Sequence, residues 1–141
     1  MRMEPRRRRL GAEIVIHPGP PGLKVLVDPL RFEQVLLNLL RNALDAVDTV
    51  ADRPGRRITL EAGEEAGGVR IRVADTGAGL PPEVLARIFD PFFTTKPVGQ
   101  GLGLGLAISR MIMEELGGRI EARNPEEGGA EFTLWLRRGD D

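Results

Sequence analysis

Glycine and proline fall in clusters along this chain and divide it into short segments. The 141 residues include 18 Gly and 11 Pro. Clusters at 17–22 (HPGPPG), 63–68 (GEEAGG) and 125–129 (PEEGG) are typical of turns. Between the clusters, apolar residues either alternate as in strands or recur at helical spacing, without regular βαβ alternation. This pattern predicts an α+β fold with a largely antiparallel sheet.

Short strands and helices can be assigned between these turns. The predicted strands are 13–16, 24–27, 56–62, 69–74, 119–123 and 131–137, and the predicted helices are 30–48, 82–88 and 102–116. The first helix has a strong start signal, because Asp28 is a good cap and Pro29 suits the first helical position. Gly117 and Gly118 are expected to stop the third helix.

The composition fits one folded domain and excludes several kinds of chemistry. Hydrophobic residues make up 41% of the chain and charged residues 29%. Cysteine is absent and His17 is the single histidine, which excludes disulfides, thiol nucleophiles and metal sites built from cysteine or histidine clusters. No apolar run approaches the roughly 20 residues of a membrane helix. We expect a cytoplasmic domain without direct membrane contact, whether or not a longer protein is anchored to a membrane.

Positive charge is concentrated at the start of the chain. Residues 1–10 contain five arginines and one glutamate, whereas the net charge of the whole chain is −1. We interpret 1–10 as a basic stub or linker, 11–138 as the domain and 139–141 as a tail. The mildly acidic body has no basic stripe interleaved with aromatic residues, so nucleic acid is not an expected partner.

The first predicted helix carries an unusual polar stripe. Its members recur at helical spacing and are Gln34, Asn38, Arg41, Asn42 and Asp45. Asparagine is a poor helix former, so two asparagines one turn apart indicate that short amides face a ligand. An amide oxygen suits Mg²⁺ that phosphates already partly coordinate. The alternative is an ordinary polar surface.

The segment 73–80 (VADTGAGL) ends a predicted strand in an acid followed by spaced glycines. Gly77 and Gly79 would let the backbone approach a flat ligand, and Asp75 would accept a hydrogen bond from an exocyclic amine such as that of adenine. A plain turn is the alternative. An aspartic protease would need a second such carboxylate, and only one DTG is present.

Glycines at 99, 101, 103 and 105 run into the third predicted helix. Free N–H groups at a helix N-terminus favour phosphate. The spacing matches neither a Walker loop nor a Rossmann fingerprint. The segment is consistent with a lid that closes over a nucleotide, with Lys96 near a phosphate, or with a glycine-rich connector.

These motifs, in this order, resemble the ATP-binding catalytic domain of bacterial sensor histidine kinases, within the wider gyrase, Hsp90 and MutL ATPase group. The stretch 34–47 (QVLLNLLRNALDAV) is similar to the N box of that family, 75–80 to its first glycine box, 88–96 (IFDPFFTTK) to its F box and 101–109 to its second glycine box. The resemblance covers roughly residues 11–137. It is strongest to kinases of the nitrogen-regulation and dicarboxylate-transport type.

The resemblance implies a fold and a set of site residues. The fold is a two-layer α/β sandwich in which a mixed, mostly antiparallel sheet of about five strands packs on three helices, with an ATP lid. The implied catalytic residues are Asn38, Asn42 and Lys96, and Asn42 is the implied Mg²⁺ ligand. The implied ATP-binding residues are Asn38, Arg41, Asn42, Asp45, Asp75, Gly77, Gly79, Leu80, Thr94, Thr95, Lys96, Gly101, Leu102, Gly103, Leu104, Gly105, Leu106 and Thr133. Phe89 and Phe92 are expected to anchor the lid.

Two departures from the family pattern bear on the activity. Gyrase-type ATPases carry a glutamate at the position of Asn38, and an amide is a poor general base, which favours phosphoryl transfer over hydrolysis. Ala130 occupies a position where many of these kinases carry threonine.

The implied function is transfer of the ATP γ-phosphoryl group to a histidine on a dimerisation domain not recognised in this sequence, with a response-regulator receiver domain downstream. ATP and Mg²⁺ are the implied cofactors. The alternatives are an ATPase or Ser/Thr kinase of the same fold, and a non-catalytic nucleotide-binding or docking module.

Overall fold

Five strands form one mixed sheet in the computed structural model, which describes residues 12–25, 27–94 and 105–139. The strands are β1 (Glu13–His17), β2 (Arg57–Glu65), β3 (Gly68–Asp75), β4 (Arg119–Arg123) and β5 (Glu131–Arg137). Their order in the sheet is β1-β2-β3-β5-β4. β1 runs parallel to β2, and the other neighbouring pairs are antiparallel. The predicted mixed, mostly antiparallel sheet is confirmed.

Three helices occur in the described parts of the chain: α1 (Pro29–Asp48), α2 (Pro82–Leu85) and α3 (Gly105–Glu115). α1 begins where the sequence predicts, because Asp28 Oδ1 accepts the N–H of Leu30 at 3.1 Å and Pro29 takes the first position. At the other end, Thr49 donates its hydroxyl to the carbonyl of Ala46 at 2.7 Å. No helix in these parts of the chain is both long and apolar enough to cross a membrane.

The core lies between the helices and one face of the sheet. α1 contributes residues spaced by four, the spacing that keeps side chains on one side of a helix. They meet every second residue of the central strands and one side of α3. The buried set includes Val35, Leu39, Ala43, Val47, Ile58, Val73, Ile112, Met113 and Leu134. This packing fixes α1 across the sheet and leaves the ends of β3 and β5 beside it.

The other face of the sheet carries a network of paired charges. Glu131 is 4% exposed, and its carboxylate accepts hydrogen bonds from Arg72 at 2.8 Å and Arg123 at 2.7 Å. Arg72 also donates to Glu61 at 3.2 Å. Burial alone would raise the pKa of Glu131, but the two guanidinium groups hold it below its ordinary value. This face of the sheet is therefore covered by ion pairs, whereas the opposite face packs on the helices through apolar side chains.

The strand predicted at 24–27 is not found at residues 24, 25 and 27, and residue 26 lies outside the described residues. Val25 makes only an isolated bridge to Arg138, and the carbonyl of Lys24 accepts the N–H of Gly139 at 2.7 Å. The helix predicted at 82–88 is a single turn that ends at Leu85.

Candidate functional site

A cavity of about 750 Å³ opens between α1 and the ends of β3 and β5. Its lining residues are Arg41, Asn42, Asp45, Ala46, Asp48, Thr49, Asp75, Ala78, Gly79, Leu80, Ile88, Leu106, Ala130 and Phe132. The cavity thus brings together seven of the residues implied by the resemblance, which are Arg41, Asn42, Asp45, Asp75, Gly79, Leu80 and Leu106. They come from three separate parts of the chain: α1, the segment 75–80 and α3.

Asp75 is the last residue of β3 and is 6% exposed. Its Oδ1 accepts the N–H of Gly77 at 2.8 Å and the N–H of Ala130 at 3.4 Å. Burial raises the pKa of Asp75, and the two N–H donors oppose that rise. Within the described residues, Oδ2 has no hydrogen-bond partner. The cavity therefore contains a buried carboxylate, and one of its oxygens is left to accept a hydrogen bond from a ligand.

The loop 76–81 follows Asp75 and forms one wall of the cavity. A Cβ on Gly77 would lie 2.7 Å from the carbonyl oxygen of Ala46, so this glycine is needed because the loop packs directly on α1. Gly77 does not line the cavity, so this contact gives it a reason other than the expected room for a base. Gly79 lines the cavity and has a φ of +82°, a left-handed conformation that favours glycine.

The remaining wall next to Asp75 is apolar. Leu80, Ile88, Leu106, Ala130 and Phe132 line it. The Phe132 ring is supported from outside by Phe89, with ring centroids 6.3 Å apart in an edge-to-face arrangement. An apolar slot with a polar acceptor inside is suited to a flat heteroaromatic ligand that carries an amine.

The wall of the cavity formed by α1 carries oxygen atoms that could bind a metal ion. Asn42 is half-buried and lines the cavity one turn from Asp45, with Asp48 further along the helix. No group of three or more histidine, cysteine or acidic residues suitable for a metal occurs in the described residues. One amide oxygen and nearby carboxylates fit a hard cation such as Mg²⁺ only if the ligand brings further oxygens, as the phosphates of a nucleotide do.

Asn38 lies outside this cavity, although it was implied to act with Asn42. Its Nδ2 donates to Ser109 Oγ on α3 at 3.0 Å. Together with Gly105 it lines a separate, smaller cavity of about 260 Å³, and Arg41 borders both cavities. In this structure Asn38 joins two helices.

Thr133 was implied to contact the nucleotide base, and the structure does not bring it there. It lies between Phe132 and Leu134 on β5, which face the core, so its side chain points to the charged face of the sheet. There it borders a different cavity with Glu61 and Arg72.

Phe92, which was expected to anchor the lid, is 71% exposed and has a φ of +66°. Thr94 is exposed. The remaining implied residues, Thr95, Lys96, Gly101, Leu102, Gly103 and Leu104, lie outside the described residues.

Comparison with known proteins assigns the family. The family described as Histidine kinase-, DNA gyrase B-, and HSP90-like ATPase matches residues 27–140. The C4-dicarboxylate transport sensor protein DctB of Pseudomonas aeruginosa is 42% identical over 134 residues, covering 95% of this chain and 22% of that protein.

Solved structures give the same assignment. The catalytic domain of histidine kinase ThkA, in a nucleotide-free form, superposes with a TM-score of 0.79 at 34% identity, covering 96% of this chain and 84% of that one. Full-length ShkA in complex with AMPPNP superposes with a TM-score of 0.80 at 34% identity, covering 99% of this chain and 28% of that one. ThkA in complex with the response regulator protein TrrA superposes with a TM-score of 0.75 at 31% identity, covering 96% and 37%.

The chain therefore belongs to the histidine kinase-, DNA gyrase B- and HSP90-like ATPase family. Within it, the chain is a catalytic domain of the sensor histidine kinase type, which confirms the resemblance inferred from the motifs. It spans about a fifth of the length of DctB, the curated relative described above.

Two features of the site have no clear signal in the sequence. Asn124, after β4, holds the loop 76–81 through its side chain, and Ser109 holds Asn38. The partners of these pairs are 44 and 71 residues apart in the chain, so local patterns do not reveal them.

Proposed function

We propose that the cavity beside α1 binds ATP with Mg²⁺ and that the domain transfers the γ-phosphoryl group to a histidine of a dimerisation domain. The observation that carries the proposal is the buried Asp75 carboxylate, with one oxygen unpaired among the described residues, in the same cavity as Asn42. A carboxylate acceptor and an amide ligand suit the two ends of a nucleotide.

At the base end, the adenine amine would donate to Asp75 Oδ2 while the ring lies in the apolar slot. Leu80 and Phe132 would pack on the ring, and Gly79 leaves space beside it. GTP presents a carbonyl oxygen where ATP presents this amine, which would place two acceptors against each other. The site is therefore expected to favour ATP over GTP, because the mismatch leaves a buried polar group unpaired.

At the phosphate end, Asn42 would hold Mg²⁺ through its amide oxygen, with Asp45 beside it. The bound cation would neutralise charge on the phosphates. Arg41 borders the same wall and would add positive charge near the phosphates. Lys96 and the glycines of the second glycine box are proposed to complete this end, as the resemblance implies. Positioning and charge neutralisation would then provide most of the catalysis.

The position one turn before Asn42 favours transfer over hydrolysis. Asn38 occupies this position, and its side-chain amide cannot accept a proton from water at neutral pH. The NH₂ group of this amide donates a hydrogen bond to Ser109. During transfer, the bond between the γ-phosphorus and the bridging oxygen breaks as a bond to the histidine nitrogen forms, and ADP leaves. AMPPNP in the ShkA complex and the response regulator in the ThkA complex support ATP as the donor and a receiver domain as the next partner. We place this chemistry in the cytoplasm, where ATP is available.

The test uses the chain together with a separate dimerisation domain from a kinase of the DctB type. With γ-labelled ATP, we expect label on the dimerisation domain that is lost in acid and retained in alkali, as for phosphohistidine. The Asn42→Ala variant should abolish labelling, whereas Glu126→Ala, at an exposed residue that does not line the cavity, should not affect it. Binding of ATP without any labelling would favour a non-catalytic module, and an acid-stable product would favour a Ser/Thr kinase.

A further inference from the structure

The side chain of Asn124 pairs with the main chain of Leu80. The N–H of Leu80 donates to Asn124 Oδ1 at 3.0 Å, and Asn124 Nδ2 donates to the carbonyl of Leu80 at 2.6 Å. A side-chain amide carries a donor and an acceptor on one planar group, so it can reproduce the pairing that a neighbouring strand would provide. Asn124 directly follows β4.

The loop 76–81 depends on this pairing at its far end. Its start is held at Thr76, whose N–H donates to the carbonyl of Arg57 at 3.0 Å and whose hydroxyl accepts the N–H of Arg57 at 2.7 Å. Gly77 is held by Asp75. Between Gly77 and α2, the two bonds to Asn124 are the hydrogen bonds that this loop makes to another element within the described residues.

The part of the loop held by Asn124 is the part that lines the cavity. Ala78, Gly79 and Leu80 form the wall beside the Asp75 carboxylate, and α1 holds only the beginning of the loop, at Gly77. Without Asn124, this wall would keep the packing of Leu80 on the core and of Gly79 near Gly129 but would lose its two hydrogen bonds. Asn124 itself does not line the cavity, so it would act through Leu80 and Gly79.

We propose that Asn124 is a positioning residue that sets the width of the slot for the nucleotide base, an inference that rests on the proposed function. It holds the 78–80 wall at the distance that lets the base reach Asp75. The effect is specific to the base end, because the phosphates would lie toward Asn42 on α1. Loss of the pairing between Asn124 and Leu80 should therefore weaken the preference for ATP over GTP more than it weakens contacts to the phosphates.

The test measures ATP·Mg and GTP·Mg affinities of the same chain by calorimetry and competition. For Asn124→Ala we expect ATP affinity to fall about tenfold, as for the loss of about one net hydrogen bond. GTP affinity should change little, so the ATP-to-GTP ratio should fall by a similar factor. Glu126→Ala, two residues away in the same turn, is the matched control and should keep the wild-type ratio. The Leu80 amide should also exchange with deuterium faster in Asn124→Ala than in the control.

Asn124→Asp provides a second variant of nearly the same size. It keeps the acceptor for the Leu80 N–H but turns a second carboxylate oxygen toward the Leu80 carbonyl, which places two acceptors against each other. Its ATP-to-GTP ratio should therefore fall below that of the wild type, and it decides the question if the alanine variant does not fold. An unchanged ratio in a folded variant, or equal loss of both affinities, would overturn this inference alone. Failure of the wild type to bind ATP would overturn the proposed function as well.

Discussion

Asn38 on α1 donates a hydrogen bond from Nδ2 to Ser109 Oγ on α3, over a distance of 3.0 Å. Ser109 is 2% exposed and Gly105 packs against the same amide, so the pair lies where the two helices meet. α3 begins at Gly105, so it contains the second half of the second glycine box. The bond therefore fixes this part of the box relative to the helix that carries Asn42.

A double-mutant cycle tests this link. Ser109→Ala and Asn38→Ala should each lower the free energy of unfolding by about 1 kcal/mol, because each leaves a buried or half-buried polar group without its partner. The double variant should lose less than the sum of the two, with a coupling of about 0.5–1 kcal/mol. Urea denaturation measures all four proteins. Strict additivity would show that the two side chains do not interact in solution.

Asp75→Asn should lower the affinity for ATP without lowering the stability of the fold. Burial raises the pKa of Asp75, so the ionised carboxylate opposes folding at neutral pH, and the neutral amide keeps an oxygen for the N–H groups of Gly77 and Ala130. We expect the free energy of unfolding without nucleotide to stay the same or to rise by up to about 1 kcal/mol. ATP affinity should fall roughly tenfold to a hundredfold, because a hydrogen bond to a charged acceptor is lost.

The same substitution changes the pH dependence of stability. A carboxyl group with a raised pKa in the folded state favours folding at low pH, and this contribution is lost as pH rises through the raised pKa. The wild type should therefore lose this contribution relative to Asp75→Asn between acidic and neutral pH. Thermal unfolding of both proteins across that range measures it. A variant that is clearly less stable than the wild type at pH 7 would contradict the assigned environment of Asp75.

Gly77→Ala should disturb the contact between the loop 76–81 and α1. The new Cβ would lie 2.7 Å from the carbonyl oxygen of Ala46, a backbone atom that cannot rotate away. We expect a loss of about 2 kcal/mol of unfolding free energy, together with weaker ATP binding. Gly63→Ala is the matched control, since its Cβ would meet only the end of the Arg70 side chain at 3.5 Å. Denaturation curves that coincide for the two variants would contradict this reason for the glycine.

The charged face of the sheet should make stability sensitive to acid. Because the pKa of Glu131 is lowered in the folded state, its pairs stabilise the protein above the ordinary pKa of glutamate and stop doing so as pH falls through the lowered value. Glu131→Gln should cost about 2 kcal/mol at pH 7, mainly through Arg72. From about pH 5 downward the difference from the wild type should shrink. Glu126→Gln, on an exposed turn, should show no such convergence.

Much of this site could be predicted from local sequence, because local chemistry determines it. Asp28 and Pro29 start α1 through a cap, and the side chain of Asp75 takes its position from the strand it ends. The amide face of α1 follows from helical spacing, which places Asn42 in the cavity. The N box lies in α1, and the first glycine box begins at the last residue of β3.

The errors arise where distant parts of the chain decide the structure. Thr133 points away from the cavity because pairing with Arg72 in β3 fixes the face on which it lies. Phe92 is exposed and has a left-handed backbone conformation that no sequence pattern indicated. The contacts of Asn124 with Leu80 and of Ala46 with Gly77 form only after the sheet and α1 have assembled.

Calorimetric titration of the wild-type chain with ATP and GTP, each with and without Mg²⁺, tests the central claim most directly. The proposed site predicts one equivalent of ATP bound in the presence of Mg²⁺, weaker binding of GTP and a large loss of ATP affinity in Asn42→Ala. Equal affinity for ATP and GTP, or ATP binding that is unchanged by removal of both Mg²⁺ and the Asn42 amide, would contradict it.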